Sequence, residues 1–142
     1  MRDLPETLTG SHVHVVTPAD TADNWGNDLP VLATPVLLWL GEVTAMNAVQ
    51  EFLEDDEMTV GVSHDSSHLA PTLVGQEVRL TAVLRERRGS KLRFEVRAHD
   101  GETDVLHGVH TRAVVHRKAF LDRLADKERQ IRATSSTTAG DA

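Results

Sequence analysis

From residue 58 to residue 116 apolar side chains recur at every second position, broken only by short turns. Val78, Leu80, Ala82 and Leu84 alternate with Arg79, Thr81 and Arg85. Leu92, Phe94, Val96 and Ala98 alternate with Lys91, Arg93, Glu95 and Arg97. A period of two puts one kind of side chain on each face of a strand. The turns at 87–90 and 99–102 are hairpin-sized, and the second holds Asp100-Gly101, a strong hairpin signal. Flanking strands follow the same rule, with Met58, Val60, Val62 and His64 on one face, and Val105, Val109, Ala113 and Val115 on another. Successive hairpins with one apolar face form an antiparallel sheet, and that face must be covered.

The cover is the segment just before it. Thr34-Pro35 reads as a helix start, a hydroxyl suited to capping followed by a proline suited to the first turn. The helix is expected to run to about Leu53. Its first half is apolar nearly all round, as in a helix enclosed by other structure. Thr44, Asn47, Glu51 and Glu54 form a polar stripe expected to face water, and the acidic run 54–57 reads as a solvated turn. Residues 11–17 form a first strand, and 18–29 a long loop in which Trp25 stands alone, either plugging a local gap or closing over a pocket. Residues 117–131 form a last helix with Phe120, Leu121 and Leu124 at helical spacing. The expected layout is a flexible N-terminus over 1–10, one α+β domain over 11–131 and a disordered tail over 132–142. An antiparallel sheet wrapped around one long central helix, with a C-terminal helix, is the element order of the hot-dog fold.

Composition narrows the chemistry. The 142 residues carry 15 Lys and Arg against 22 Asp and Glu, and the net charge of −7 argues against nucleic acid as a partner. The absence of Cys excludes disulfides, a thiolate nucleophile and cysteine-ligated metal. The longest apolar run, 35–40, is far short of the roughly 20 residues that cross a bilayer. The first ten residues lack the apolar core of a secretory signal. The reading is a cytoplasmic protein with no membrane partner. Carboxylates, hydroxyls and eight histidines remain for chemistry.

Glu42 is the most informative of these. Its helical neighbours Leu38, Trp39, Ala45, Met46 and Val49 are all apolar, so it lies off the polar stripe. A carboxylate in such a setting is either a functional group or half of a structural ion pair, for which an arginine would serve. His64 extends the apolar face of its strand by one step and is expected to point at the helix, as a site residue or a satisfied structural one. Thr34 is a helix cap or a pocket hydroxyl beside the unpaired amides of the helix N-terminus. His64-Asp65-Ser66-Ser67-His68 matches no zinc signature, and no metal is expected. His110, Arg112 and His116 share a strand face and could line a second surface or a dimer contact. Arg85, Arg87, Arg88, Lys91 and Arg93 form the one basic cluster, either a solvated hairpin or a dock for the phosphates of a ligand such as coenzyme A.

These residues resemble those of a known family. Ala33-Thr34 before a helix bearing Glu42, then Val62-Ser63-His64, Pro71 and Gly75, resemble the fluoroacetyl-CoA thioesterase group of hot-dog proteins. The segments 97–101 and 110–116, followed by Phe120, resemble the same group. The resemblance spans about residues 11–125. It implies a thioesterase without cofactor that hydrolyses an acyl-CoA to the free acid and coenzyme A, working as a homodimer with its sheets side by side. It also implies a catalytic set of Thr34, Glu42 and His64. His64 would act as general base or orient the water, Glu42 as nucleophile or base, and Thr34 would position the acyl group or a partner side chain. Trp25, Trp39, His68, Arg87, Arg88 and Lys91 are taken as substrate-binding. The fluoroacetyl enzyme has a Phe-rich lid before this helix, whereas residues 24–29 here are polar apart from Trp25 and Leu29. The acyl group is therefore expected to be another short or polar one, or to ride on a carrier protein. The alternatives are a non-catalytic dimer that binds an acyl thioester or small apolar ligand and, ranked last, a hydratase or dehydratase on the same fold.

Overall fold

The computed structural model describes the backbone of residues 1–140 and the side chains of residues 1–135. Its elements are β1 (Thr9–Val15), α1 (Thr34–Val49), β2 (Glu57–His68), β3 (Glu77–Arg88), β4 (Lys91–His99), β5 (Asp104–His116) and α2 (Arg117–Gly140). The strands form one antiparallel sheet in the order β1-β3-β4-β5-β2, so β1 and β2 are its edges. The alternation seen in the sequence sets the inner face, where Val78, Leu80, Ala82, Leu92, Phe94, Val96 and Ala98 are buried. Against them lie Leu37, Leu40, Ala45 and Val49 of α1.

Four expectations are corrected. The first ten residues are anchored at several points: β1 already begins at Thr9, Leu8 is buried, and Met1 and Leu4 rest on the core. The amino group of Met1 pairs with Glu57 at 2.7 Å, which draws that residue out of the acidic run. The helix α1 ends at Val49 and passes into a 3₁₀ turn over Gln50–Phe52. Thr44 is buried, because its hydroxyl is satisfied by the Leu40 carbonyl one turn back at 2.8 Å. Finally, α2 runs on to Gly140, so most of the expected tail is helical; Asp141 and Ala142 lie outside the described residues.

The helix is also less enclosed than its composition suggests. Trp39 and Met46 are exposed on the side of α1 that carries Glu42.

Candidate active site

Glu42 leaves α1 toward β2 and β5. Its Oε1 lies 3.3 Å from Arg112 Nη1, 3.5 Å from His64 Nε2 and 3.7 Å from His110 Nε2. This is the arginine partner that an apolar setting requires of a carboxylate. Arg112 is pinned, with Nε donating to Thr59 Oγ1 at 2.9 Å and Nη2 to the Thr59 carbonyl at 3.0 Å. Gly61 keeps the space between strand and helix open, since a Cβ there would run into the Glu42 carboxylate.

His110 lies beneath this group with 1 % of its side chain exposed. Its Nδ1 is 3.0 Å from the Ser63 carbonyl, which can only accept, so the ring proton sits there. Nε2 is left to accept from Arg112 Nη1 at 3.1 Å. Burial, with Arg112 and His64 beside it, pulls its pKa down to about 4, so it is neutral at neutral pH. The His64 ring stacks on it, with centroids 4.1 Å apart and planes at 14°.

One atom each of Glu42, His64 and His110 falls within 4.8 Å of the others, a spacing that could suit a cation. Arg112 Nη1 already touches both Glu42 and His110, so that corner holds a fixed positive charge and no ion is assigned to it.

His64 reaches the helix by a route the alternation did not reveal. Thr59 is buried and Gly61 faces Glu42, so up to that point the odd-numbered residues face inward, the reverse of the expected face. Gly61 then pairs with Arg112 and Ser63 with Thr111, leaving Val62 as the extra residue of a β-bulge. One inserted residue swaps the two faces, so His64 and His68 are turned toward α1.

His68 makes a second bridge to the helix. Its Nδ1 is 2.7 Å from Thr34 Oγ1. Thr34 is therefore not a cap: Ala33 holds the N-cap position, and Thr34 is the first helical residue with its hydroxyl committed to His68. Burial pulls the His68 pKa down against a raising effect of the Ala70 backbone, and no hydrogen bond within normal geometry reaches its buried Nε2. The two bridges are eight residues apart on α1 and four apart on β2, spans of roughly 12 and 13 Å.

Thr34 and His68 line a cavity of about 540 Å³ with Trp25, Asn27, Leu29, Val31 and Leu69 among its walls. The loop that supplies Trp25 is tethered at its base. Asp20 Oδ2 lies 2.8 Å from His14 Nε2 of β1, and the Asp20 carbonyl accepts from Ala33 N at 2.9 Å.

The expected set is thus divided. Glu42 meets His64, whereas Thr34 meets His68 and has Trp25 in the same cavity. Trp39 lies outside the cavity walls, on the exposed side of α1. The basic cluster is split by a second irregularity between Leu84 and Glu86. Arg87 pairs with buried Leu92 and shares the inner face, while Arg88 pairs with Lys91 on the outer face, beside a cleft of about 120 Å³. His110 and Arg112 are the site residues that sequence reasoning undervalued. Their shared strand face was the available signal.

Comparison with known proteins gives a consistent answer. The family model for the fluoroacetyl-CoA-specific thioesterase matches residues 16–118. The fluoroacetyl-CoA thioesterase of Streptantibioticus cattleyicolor is 32 % identical over 124 residues, covering 82 % of this chain and 89 % of that protein. A solved structure of the fluoroacetyl-CoA thioesterase superposes with a TM-score of 0.81 at 30 % identity, covering 88 % of this chain and 98 % of the other. A hot-dog-like protein from Thermanaerovibrio acidaminovorans gives 0.79 at 23 % identity over 84 % and 89 % of the two chains, which bears on the fold alone. The fold is the hot-dog fold.

Proposed function

Because the chain belongs to the fluoroacetyl-CoA-specific thioesterase family, it is an acyl-CoA thioester hydrolase, and we propose that it cleaves the thioester of a small acyl group along the α1–β2 seam. The observation that carries this reading is the pair of bridges across the seam, Thr34–His68 at 2.7 Å and Glu42–His64 at 3.5 Å. The acyl group enters the cavity under Trp25, and the thioester carbonyl lies between the bridges. The Thr34 hydroxyl and the unpaired amides at the start of α1 are the groups that can donate to the carbonyl oxygen. Glu42 leans back toward that end of the helix, as helical side chains do.

The step balances without a cofactor. The oxygen of a water molecule bonds to the carbonyl carbon while Glu42 accepts its proton and His64 helps to orient it. The adduct collapses, the carbon–sulfur bond breaks, and the departing thiolate takes up the proton. The products are the free acid and coenzyme A. Asn27 beside Trp25 and Leu29 in the cavity wall supports a short or polar acyl group.

We further propose a homodimer joined through β2 in the cytoplasm. In support, β2 is a sheet edge, and Val62 and Leu69 near it are exposed together with Trp39 and Met46. Among the described residues no helix is long and apolar enough to cross a membrane.

The test is thiol release across a panel of acyl-CoA esters, with Glu42→Gln, Thr34→Ala and His64→Ala assayed beside wild type. Loss of a general base lowers kcat by about a hundredfold or more. Saturable binding without thiol release would identify a binder instead, and an enoyl product a hydratase. The hairpin cations Arg87, Arg88 and Lys91 lie off the seam and have no part in the chemical step. If they hold phosphate, neutral variants raise KM for coenzyme A esters and leave kcat unchanged.

A further inference from the structure

We propose that His110 is a positioning residue for Glu42, holding the Arg112 guanidinium and the His64 ring where both reach that carboxylate. The inference rests on the reading of Glu42 as part of the thioester-cleaving site. His110 lies in β5 between Phe94 of β4 and His64 of β2, and is sealed from solvent. It acts only through what it touches.

Three contacts define that action. Nδ1 donates to the Ser63 carbonyl, which fixes the ring against the bulge, one residue before His64. Nε2 accepts one hydrogen of Arg112 Nη1 at 3.1 Å, and the same nitrogen sends its other hydrogen to Glu42 Oε1 at 3.3 Å. Two hydrogens on one planar nitrogen cannot be aimed separately, so the acceptor at His110 sets the direction of the bond to Glu42. The third contact is the stack with His64, whose Nε2 lies 3.5 Å from the same Glu42 oxygen. Without an acceptor at position 110, one Arg112 hydrogen is left unpaired in a buried corner. The guanidinium then turns to recover it and the carboxylate moves with it.

The test is steady-state thiol release by His110→Phe, His110→Gln and Glu42→Gln, and by Glu42→Gln combined with His110→Phe. Phenylalanine keeps a ring for His64 but offers no acceptor, whereas glutamine places an oxygen near the position of Nε2. The expected result is a fall in kcat of about tenfold to a hundredfold for His110→Phe, with KM little changed. His110→Gln recovers most of the rate, and in the Glu42→Gln background the phenylalanine substitution costs little more. A wild-type kcat in His110→Phe, or an equal loss in both backgrounds, overturns the inference. An undiminished kcat in Glu42→Gln overturns the reading of the site itself. Should His110→Phe fail to fold, His110→Asn, which keeps only the Ser63 bond, is compared with His110→Gln. A slow asparagine and a fast glutamine variant support the inference, and equal rates overturn it.

Discussion

No side chain fits between Gly61 of β2 and Glu42 of α1, because a Cβ on the glycine would meet the carboxylate oxygen head on. The strand therefore offers bare backbone at the one level where the helix presents its charged group. Alanine at position 61 pushes Glu42 away from Arg112 and His64. The expected outcome for Gly61→Ala is a folded protein, less stable by about 1–3 kcal/mol, with kcat at least tenfold lower. Urea unfolding and thiol release measure the two effects, and wild-type turnover would show that the carboxylate works from another position.

Thr34 and His68 are predicted to act as one unit. Thr34→Ala and His68→Ala each lower kcat strongly, and the double variant is no slower than the slower single. Thr34→Ser keeps the hydroxyl and most of the rate. Additive losses in the double variant would mean that the two side chains serve separate purposes.

Arg112→Met removes a buried charge and leaves Thr59 and Glu42 without their donor. Breaking such a pair from one side costs roughly 3 kcal/mol or more. An equilibrium urea midpoint within error of wild type would contradict the picture of a pinned guanidinium.

Buried neutral histidine makes stability depend on pH. The folded-state pKa of His110 is about 4 against an ordinary 6.5, so between those values the unfolded chain binds more protons. Its contribution is complete above the ordinary value and lost as pH falls toward about 4, and His68, also lowered by burial, adds in the same direction. The loss from His110 is a few kcal/mol at most. Urea midpoints measured from pH 7.5 to pH 4.5 should fall less in His110→Gln than in wild type, and parallel curves would refute the assignment.

Much of the fold could be read from spacing. The hairpins over β3, β4 and β5 are visible because each buried residue is followed by an exposed one, as in Leu92, Arg93 and Phe94. The extra residue at Val62 was not visible, since Gly61-Val62-Ser63 contains nothing that breaks an alternation by eye. His64 was thus assigned to the correct side of the strand on a face the bulge had already exchanged. The roles of His110 and Arg112 depend on β5 lying between β4 and β2, a non-local fact that no period within one strand reports. The pairing of Thr34 with His68 joins residues 34 positions apart and was hidden for the same reason.

The bulge at Val62 bears on how such a chain can change over generations. Loss of that single codon would restore an even ladder, with Gly61 against Arg112 and Ser63 against Thr111, and would leave His64 and His68 facing α1. Single-base substitutions in the same strand alter one side chain at a time. In this part of the gene the ladder can absorb the loss of three nucleotides, because β2 carries one residue more than the stretch of β5 opposite it.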